Sequence, residues 1–403
     1  MSRANEHVEQ LEPGGVEFKT LGDLAHIAST RADPSVLTST TYVTVDSLLP
    51  DFGGRKDSDY VVNAGGAIRF NPGDVLVGNI RPYLKKVWHA DREGGASPDV
   101  LTISLLPQAR EVMLPRFLYF LLASERFIAY SVRHSKGGKM PRGDKASILK
   151  YRVPVPPVAV QQEVVRVLDL FQALDAELRA EREARQIQFD YYRDSLFSFD
   201  DEKAVPRRPM SQVGSFTRGK RITKADVVPD GLASIHYGEI YTGYGVSANQ
   251  PLSRVRPDMA SRLRFARTGD VIIAGVGETV DEVAKAVAWL GEEDVAFHDD
   301  CWAFRSPLNP KFVSYYLQTR RFHAEKRKYV NRAKVNRISG TGLGKVTIPV
   351  PSREEQDRIV AILDKFDALM NDPSVGLPAE ISLRRAQYEH YRDYLMTFSE
   401  NAA

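Results

Sequence analysis

The sequence predicts a mixed α/β (α+β) chain. Its two globular domains are related by a pseudo-twofold axis and separated by two long helices in an antiparallel coiled coil. Three observations carry that expectation. Segment 114–174 aligns without gaps onto 309–369, an offset of 195 residues, which makes the chain a tandem duplication. Each half runs from short β-type stretches through a Pro-x-Pro stop into a long helical pattern. Charge alternates in step with that plan, basic over each domain and acidic over each helix.

Within the repeat, Pro115 and Phe117 meet Pro310 and Phe312, and Arg142 meets Arg337. Pro154-Val155-Pro156 meets Pro349-Val350-Pro351, and Gln161, Leu168, Asp169 and Phe171 meet Gln356, Leu363, Asp364 and Phe366. Gly73-Asp74-Val75 meets Gly269-Asp270-Val271 one residue out of step, and Tyr192-Arg193-Asp194 meets Tyr391-Arg392-Asp393 after a four-residue insertion.

Residues 1–156 form the first domain, with strands expected over 41–49, 74–80 and 99–106 between Gly and Pro turns and an amphipathic helix over 115–131. Pro154 and Pro156 cannot continue a helix, because proline lacks the amide donor and restricts its predecessor. Pro157 starts the first spacer helix, 157–204, where Val164, Val167, Leu168, Phe171, Leu174 and Leu178 recur at helical spacing. From 159 to 199 it would extend roughly 60 Å. The second domain, 205–351, repeats the plan with strands over 270–276 and 295–304 and a helix over 310–329. A capping box, Ser352 to Glu355, opens the second helical region, 352–403. Beyond Pro378, Ile381, Tyr388, Leu395 and Arg384, Tyr391, Phe398 form two rows at seven-residue spacing, matched by Phe189, Leu196 and Tyr192, Phe199. Heptads on two acidic helices of one chain argue for pairing with each other. The residues expected at that seam, or against a partner, are Leu168, Phe171, Leu174, Tyr192, Leu363, Phe366, Leu369 and Tyr391.

Of 403 residues, 43% are apolar and 27% charged, which suits folded domains rather than a disordered tail. A single cysteine, Cys301, excludes a disulfide framework and a cysteine-built zinc site. No apolar run reaches the roughly 18–20 residues of a membrane span, and the polar N-terminus carries no signal-peptide core, so a soluble cytoplasmic chain without membrane contact is expected. The net charge of +3 conceals an alternation: Lys+Arg stand at 20 against 17 Asp+Glu in 1–156, 6 against 11 in 157–204, 23 against 14 in 205–351 and 6 against 10 in 352–403. Within 311–347 Glu325 alone opposes ten basic residues. Surfaces of that kind draw a polyanion.

Catalytic constellations are missing from the sequence. It holds no phosphate-binding loop, no nucleophile elbow, no His-Glu-x-x-His and no Asn-Pro-Pro-Tyr tetrapeptide of amino-methyltransferases. Gly275-Val276-Gly277 reads as a tight turn, and His298-Asp299-Asp300-Cys301 as a strand end, since neighbours in a strand point apart. Asp281-Glu282 with Lys285 lacks the upstream acidic partner of a nuclease site. No catalytic residue, metal ligand or cofactor is expected in this chain.

Basic loops are the candidates instead. The first half offers Arg81, Tyr83, Lys85 and Lys86, then Lys136, Lys139 and Arg142 around Gly137-Gly138. The second half offers Arg218, Lys220 and Arg221, the arginines between Arg254 and Arg267, Lys326, Arg327, Lys328, Lys334 and Arg337. Glycine lets backbone approach phosphates, and arginine reads guanine edges with two donors. Tyr237, Tyr241 and Tyr244 are placed to pack on sugars or bases. A nucleic acid is the expected partner.

At the residues VPVPPVAVQQEVVRVLDLFQAL and IPVPSREEQDRIVAILDKFDAL, with FDYYRDSLFSF and GLPAEISLRRAQYEHYRDYLMTF behind them, the chain resembles the specificity (S) subunits of type I restriction–modification systems. GVEFKTLGDL, IRPYLKK, KMPR and HYGEIYTGYG add to the likeness, which covers essentially the whole chain. One departure is VAVQQE, where the family usually carries an acidic EEQ. The resemblance implies double-stranded DNA as the partner and two target-recognition domains, each reading one half of an asymmetric bipartite DNA target, on a subunit without catalysis of its own. It also implies two methyltransferase (M) subunits that bind S-adenosylmethionine, and restriction/translocase (R) subunits that use ATP and Mg. A specificity subunit of another methylation-based defence system stays open, as does a coiled-coil scaffold that binds no DNA.

Overall fold

The computed structural model describes residues 15–61, 66–199, 205–372, 374 and 376–400. The chain divides into two compact units: Met1–Glu177 with Ser382–Ala403, and Leu178–Ile381. The helix Val158–Leu196 therefore contributes its first part to one unit and its second part to the other.

In the first unit an antiparallel four-stranded sheet has the order Ala25–Ile27, Val100–Leu105, Val75–Gly78, Val87–His89. Tyr42–Val43, Gly94–Ala96 and Ile68–Phe70 make a second sheet, and Glu17–Thr20 pairs with Arg152–Val155. The second unit repeats the first of these sheets as Ser215–Arg218, Cys301–Arg305, Val271–Ala274, Ala286–Trp289 and adds Ser247–Ala248 at its edge. A further five-stranded sheet runs Val227–Val228, Ser253–Val255, Leu232–Ile235, Val295–Phe297, Phe265–Ala266, and Arg207–Pro209 pairs with Thr347–Pro349.

The duplication reaches single atoms. Gly73 (φ 91°) and Gly269 (φ 93°) hold left-handed turns at equivalent places, where a side chain would strain the backbone. In the residues that follow, Asp74 accepts from the Asn71 amide at 2.7 Å and Asp270 from the Arg267 amide at 2.8 Å. Arg116 pairs with Asp169 at 2.7 Å, and Lys311 with Asp364 at 2.8 Å.

Several expected elements differ. Each amphipathic helix is two: Pro115–Leu122 and Glu125–Arg133, then Pro310–Tyr316 and Arg320–Lys326. Ser124 and Thr319 cause the break, each accepting the amide three residues on at 3.3 Å and so starting a new helix. Strand 41–49 stops at Val43, because Thr44 and Ser47 hydrogen-bond each other's backbone amides and turn the chain. Strand 295–304 is split by a turn at 298–300. Ser352 caps Arg353–Asn371 through the Glu355 amide at 3.2 Å, but the Glu355 carboxylate turns to Arg358, so the box is half made. The second helical region is broken between Asn371 and Leu377.

Helix pairing occurs within each unit. In the first, Phe171 stacks on Tyr391 at 5.3 Å and touches Tyr388 at 6.3 Å. Val160, Val164 and Leu168, earlier on that helix, share a core with Leu395 and Met396, so the two segments run antiparallel. The second unit holds the reciprocal stack, Phe366 on Tyr192 at 5.6 Å, with Phe189 at 6.4 Å. Leu168 and Leu363 are fully buried in the cores of their own units, among Phe117 and Phe127 or Phe312 and Phe322. Leu369, in the last turn before Asn371, is 45% exposed, and Leu174 is half-buried. The seam is thus aromatic, and these two leucines are not its core.

Burial, then the nearby Arg116 charge, pushes the His89 imidazole down to about 4. Burial, then Lys326, does the same to His323 in the second unit. Free imidazole protonates near 6.5, so between those values the unfolded chain binds more protons than the folded one. Stability contributed by the neutral rings is complete above pH 6.5 and is lost as pH falls towards 4. With partial exposure allowed for, the loss is about 1–2 kcal/mol per ring. Thermal melts at pH 7 and pH 4.5 should show it, and His89→Phe should shrink the difference.

Candidate nucleic-acid interface

In the first unit, two basic stretches far apart in sequence lie side by side. Residues 136–142 form a tight hairpin, with Lys136 paired to Arg142, and Arg142 also bridges Ile80. The Arg81 amide donates to the Pro141 carbonyl at 2.8 Å, and the Gly143 amide to Asn79 at 3.2 Å. Arg81 and Lys85 flank the Pro82–Leu84 turn with φ of 55° and 54°. Non-glycine residues take that conformation only where the surroundings impose it. Lys85 pairs with Glu125 at 2.6 Å, and Lys86 is turned inward onto the Val45 carbonyl at 2.6 Å. Tyr83 is exposed.

The second unit builds the same hairpin at the same register. Asn331 pairs with Arg337 between Val330–Asn331 and Asn336–Ile338, and Arg337 pairs with Val276. The arginine at each hairpin root holds an aspartate at the start of a core strand: Arg142 to Asp99 at 3.1 Å, Arg337 to Asp300 at 2.7 Å. At the tips Lys139 and Lys334 are exposed and carry no ion pair among the described residues. Lys136, by contrast, is paired to Asp144 at 2.8 Å.

Around the 298–300 turn the second unit collects further candidates. Arg218 pairs with Asp299 at 3.6 Å, and Lys220 bridges His298 through backbone. Tyr237 lies 5.3 Å from the His298 ring, and His236 4.3 Å from it. Burial, then His298, pushes the His236 imidazole below its usual range. Arg221 and Lys328 are exposed. Arg327 instead grips Asp281 at 2.8 Å and holds that carboxyl below the usual carboxylate range.

Besides Lys86, three further sequence candidates face inward. Tyr241 is half-buried and donates its hydroxyl to the Val276 and Glu282 carbonyls at 2.7 and 3.1 Å. Tyr244 is buried and accepts from the Leu252 amide. Lys326 is fully buried, bonding the Asp281 and Val283 carbonyls. Sequence reading passed over Arg332, exposed at the second hairpin tip beside Lys334, although its place opposite Gly137 in the repeat could have flagged it. Among the described residues no group of three or more His, Cys, Asp or Glu is arranged to hold a metal, and no helix is long and apolar enough to cross a membrane.

The family model for the type I restriction modification DNA specificity domain matches residues 13–187 and 261–383. The chain belongs to that family. A type I restriction enzyme specificity subunit of Haemophilus influenzae is 28% identical to this specificity-domain protein over 404 residues, 96% of this chain and 97% of the relative. One from Escherichia coli is 30% identical over 262 residues, 61% of this chain and 63% of that subunit. A solved chain from a study of complex assembly and conformational transition in a type I R-M system has the same fold, with a TM-score of 0.66 at 19% identity over 96% of this chain and 98% of its own.

Proposed function

We propose that this chain is the non-catalytic DNA sequence-recognition subunit of a cytoplasmic type I restriction–modification complex. It binds an asymmetric bipartite duplex, one half-site per unit. It also holds two methyltransferase (M) subunits and restriction/translocase (R) subunits for adenine-N6 methylation, or cleavage of unmodified DNA. The observation that carries this reading is the hairpin built twice, with an ion-paired arginine at its root and an unpaired lysine at its tip. Phosphate contacts of such lysines position a protein, and a few base contacts specify sequence. S-adenosylmethionine belongs to the M partners, and ATP with Mg to the R partners. Any adenine to be methylated is flipped into a partner's pocket.

Single-molecule sequencing of the host genome, with and without this gene, tests the reading. Loss of N6-methyladenine at one bipartite motif on deletion is the expected result. An unchanged methylation pattern, with active partner subunits supplied, would count against it.

A further inference from the structure

We propose that Met140 and Val335 are specificity-determining residues, each reading the methyl group of a thymine in its own half-site by apolar contact in the major groove. This deepens the DNA-recognition reading above and rests on it.

Met140 is 50% exposed and Val335 42% exposed. They lie 195 residues apart, the offset of the duplication, each directly after the unpaired lysine of its hairpin. One exposed apolar side chain is ordinary on any surface. Recurrence at an equivalent tip is not: exposed Val132 is answered by Arg327 in the other half, and exposed Leu170 by Lys365. Both tips stand on rigid roots, Lys136 with Arg142 and Asn331 with Arg337, each tied to a core-strand aspartate.

The chemistry of the tips selects the ligand. A lysine beside an apolar group suits a site that is anionic at its rim and carries one methyl within. In the major groove, wide enough for a two-stranded ribbon, thymine alone among the four unmodified bases presents a methyl group. Methionine is flexible and polarizable, and valine compact and branched, so the two tips suit different surroundings of that methyl.

The test uses the complex assembled with its methyltransferase partners and duplexes carrying the recognised motif. Each thymine is replaced in turn by deoxyuridine, which lacks only the methyl. Wild-type complex should bind about fourfold more weakly when one particular thymine in each half is replaced, the worth of one buried methyl. Met140→Ala should lose the uracil response in one half and Val335→Ala in the other, each leaving the opposite half unchanged. Met140→Leu, which keeps an apolar surface, should retain it. A variant that keeps the full response, or that weakens binding equally on thymine and uracil duplexes, would overturn the proposal. Motif-specific binding indifferent to both alanine variants sinks this inference alone. A wild-type complex that prefers no bipartite motif sinks the recognition reading as well.

Discussion

Gln161→Leu is expected to destabilise the first unit by about 3–6 kcal/mol, which few folded units tolerate. The Gln161 side chain is fully buried; its Oε1 accepts from the Leu114 amide at 2.8 Å, and its Nε2 donates to the Val112 and Pro156 carbonyls at 2.7 Å. It therefore satisfies the start of helix Pro115–Leu122 and the last carbonyl of the Pro-x-Pro stop at once. Leucine has nearly the same volume but leaves three backbone groups without this partner, two of them only part-buried, at about 1–2 kcal/mol each. Gln356, its counterpart, accepts from Asn309 at 2.7 Å and donates to Pro351 at 3.0 Å. Gln356→Leu strands two groups, so its cost is about 2–4 kcal/mol. Tryptophan fluorescence separates the two: Trp88 reports the first unit, and Trp289 with Trp302 the second. Urea unfolding of variants that keep one reporter should shift the Trp88 transition for Gln161→Leu and the Trp289 transition for Gln356→Leu. Wild-type midpoints in both would refute the capping role.

The second large effect concerns binding. Lys139→Glu and Lys334→Glu should each weaken duplex binding about tenfold at 0.15 M salt and lower the salt slope by about 1. Neither lysine is ion-paired among the described residues, so folding should be untouched. Loss should be similar on all sequences, because phosphate contacts carry no base information. Titration across salt concentrations checks both expectations, and an unchanged slope would remove these lysines from the phosphate path.

The repeat, the Pro-x-Pro stops and the long first helix were legible because they rest on local rules: proline geometry, apolar spacing and the offset itself. The break at Ser124 and Thr319 was not, since a hydroxyl that caps and one that faces solvent look alike in sequence. Gln161 and Gln356 stood out as repeated residues, but their role needs a chain segment 47 residues upstream. Arg193 and Arg392 stood out only as repeated between tyrosine and aspartate; they are buried, at 7% and 2% exposure, over the rings of Phe189 and Tyr388, which repetition alone does not reveal. In the candidate interface, composition pointed to the two hairpins. It could not separate Lys139 and Lys334, which are free, from Lys86 and Lys326, which bond carbonyls, because that depends on which way each loop turns.

Under the proposed function, each unit meets one half of a bipartite target. Cys301 is the chain's single cysteine and is fully buried, with burial raising its thiol well above the ordinary range. A cysteine introduced as Lys139→Cys or Lys334→Cys can therefore carry an iron chelate alone. Cleavage of target duplex by the assembled complex should fall in one half-site for position 139 and in the other for position 334. Both probes cutting the same half-site, or neither cutting at a defined place, would contradict the account.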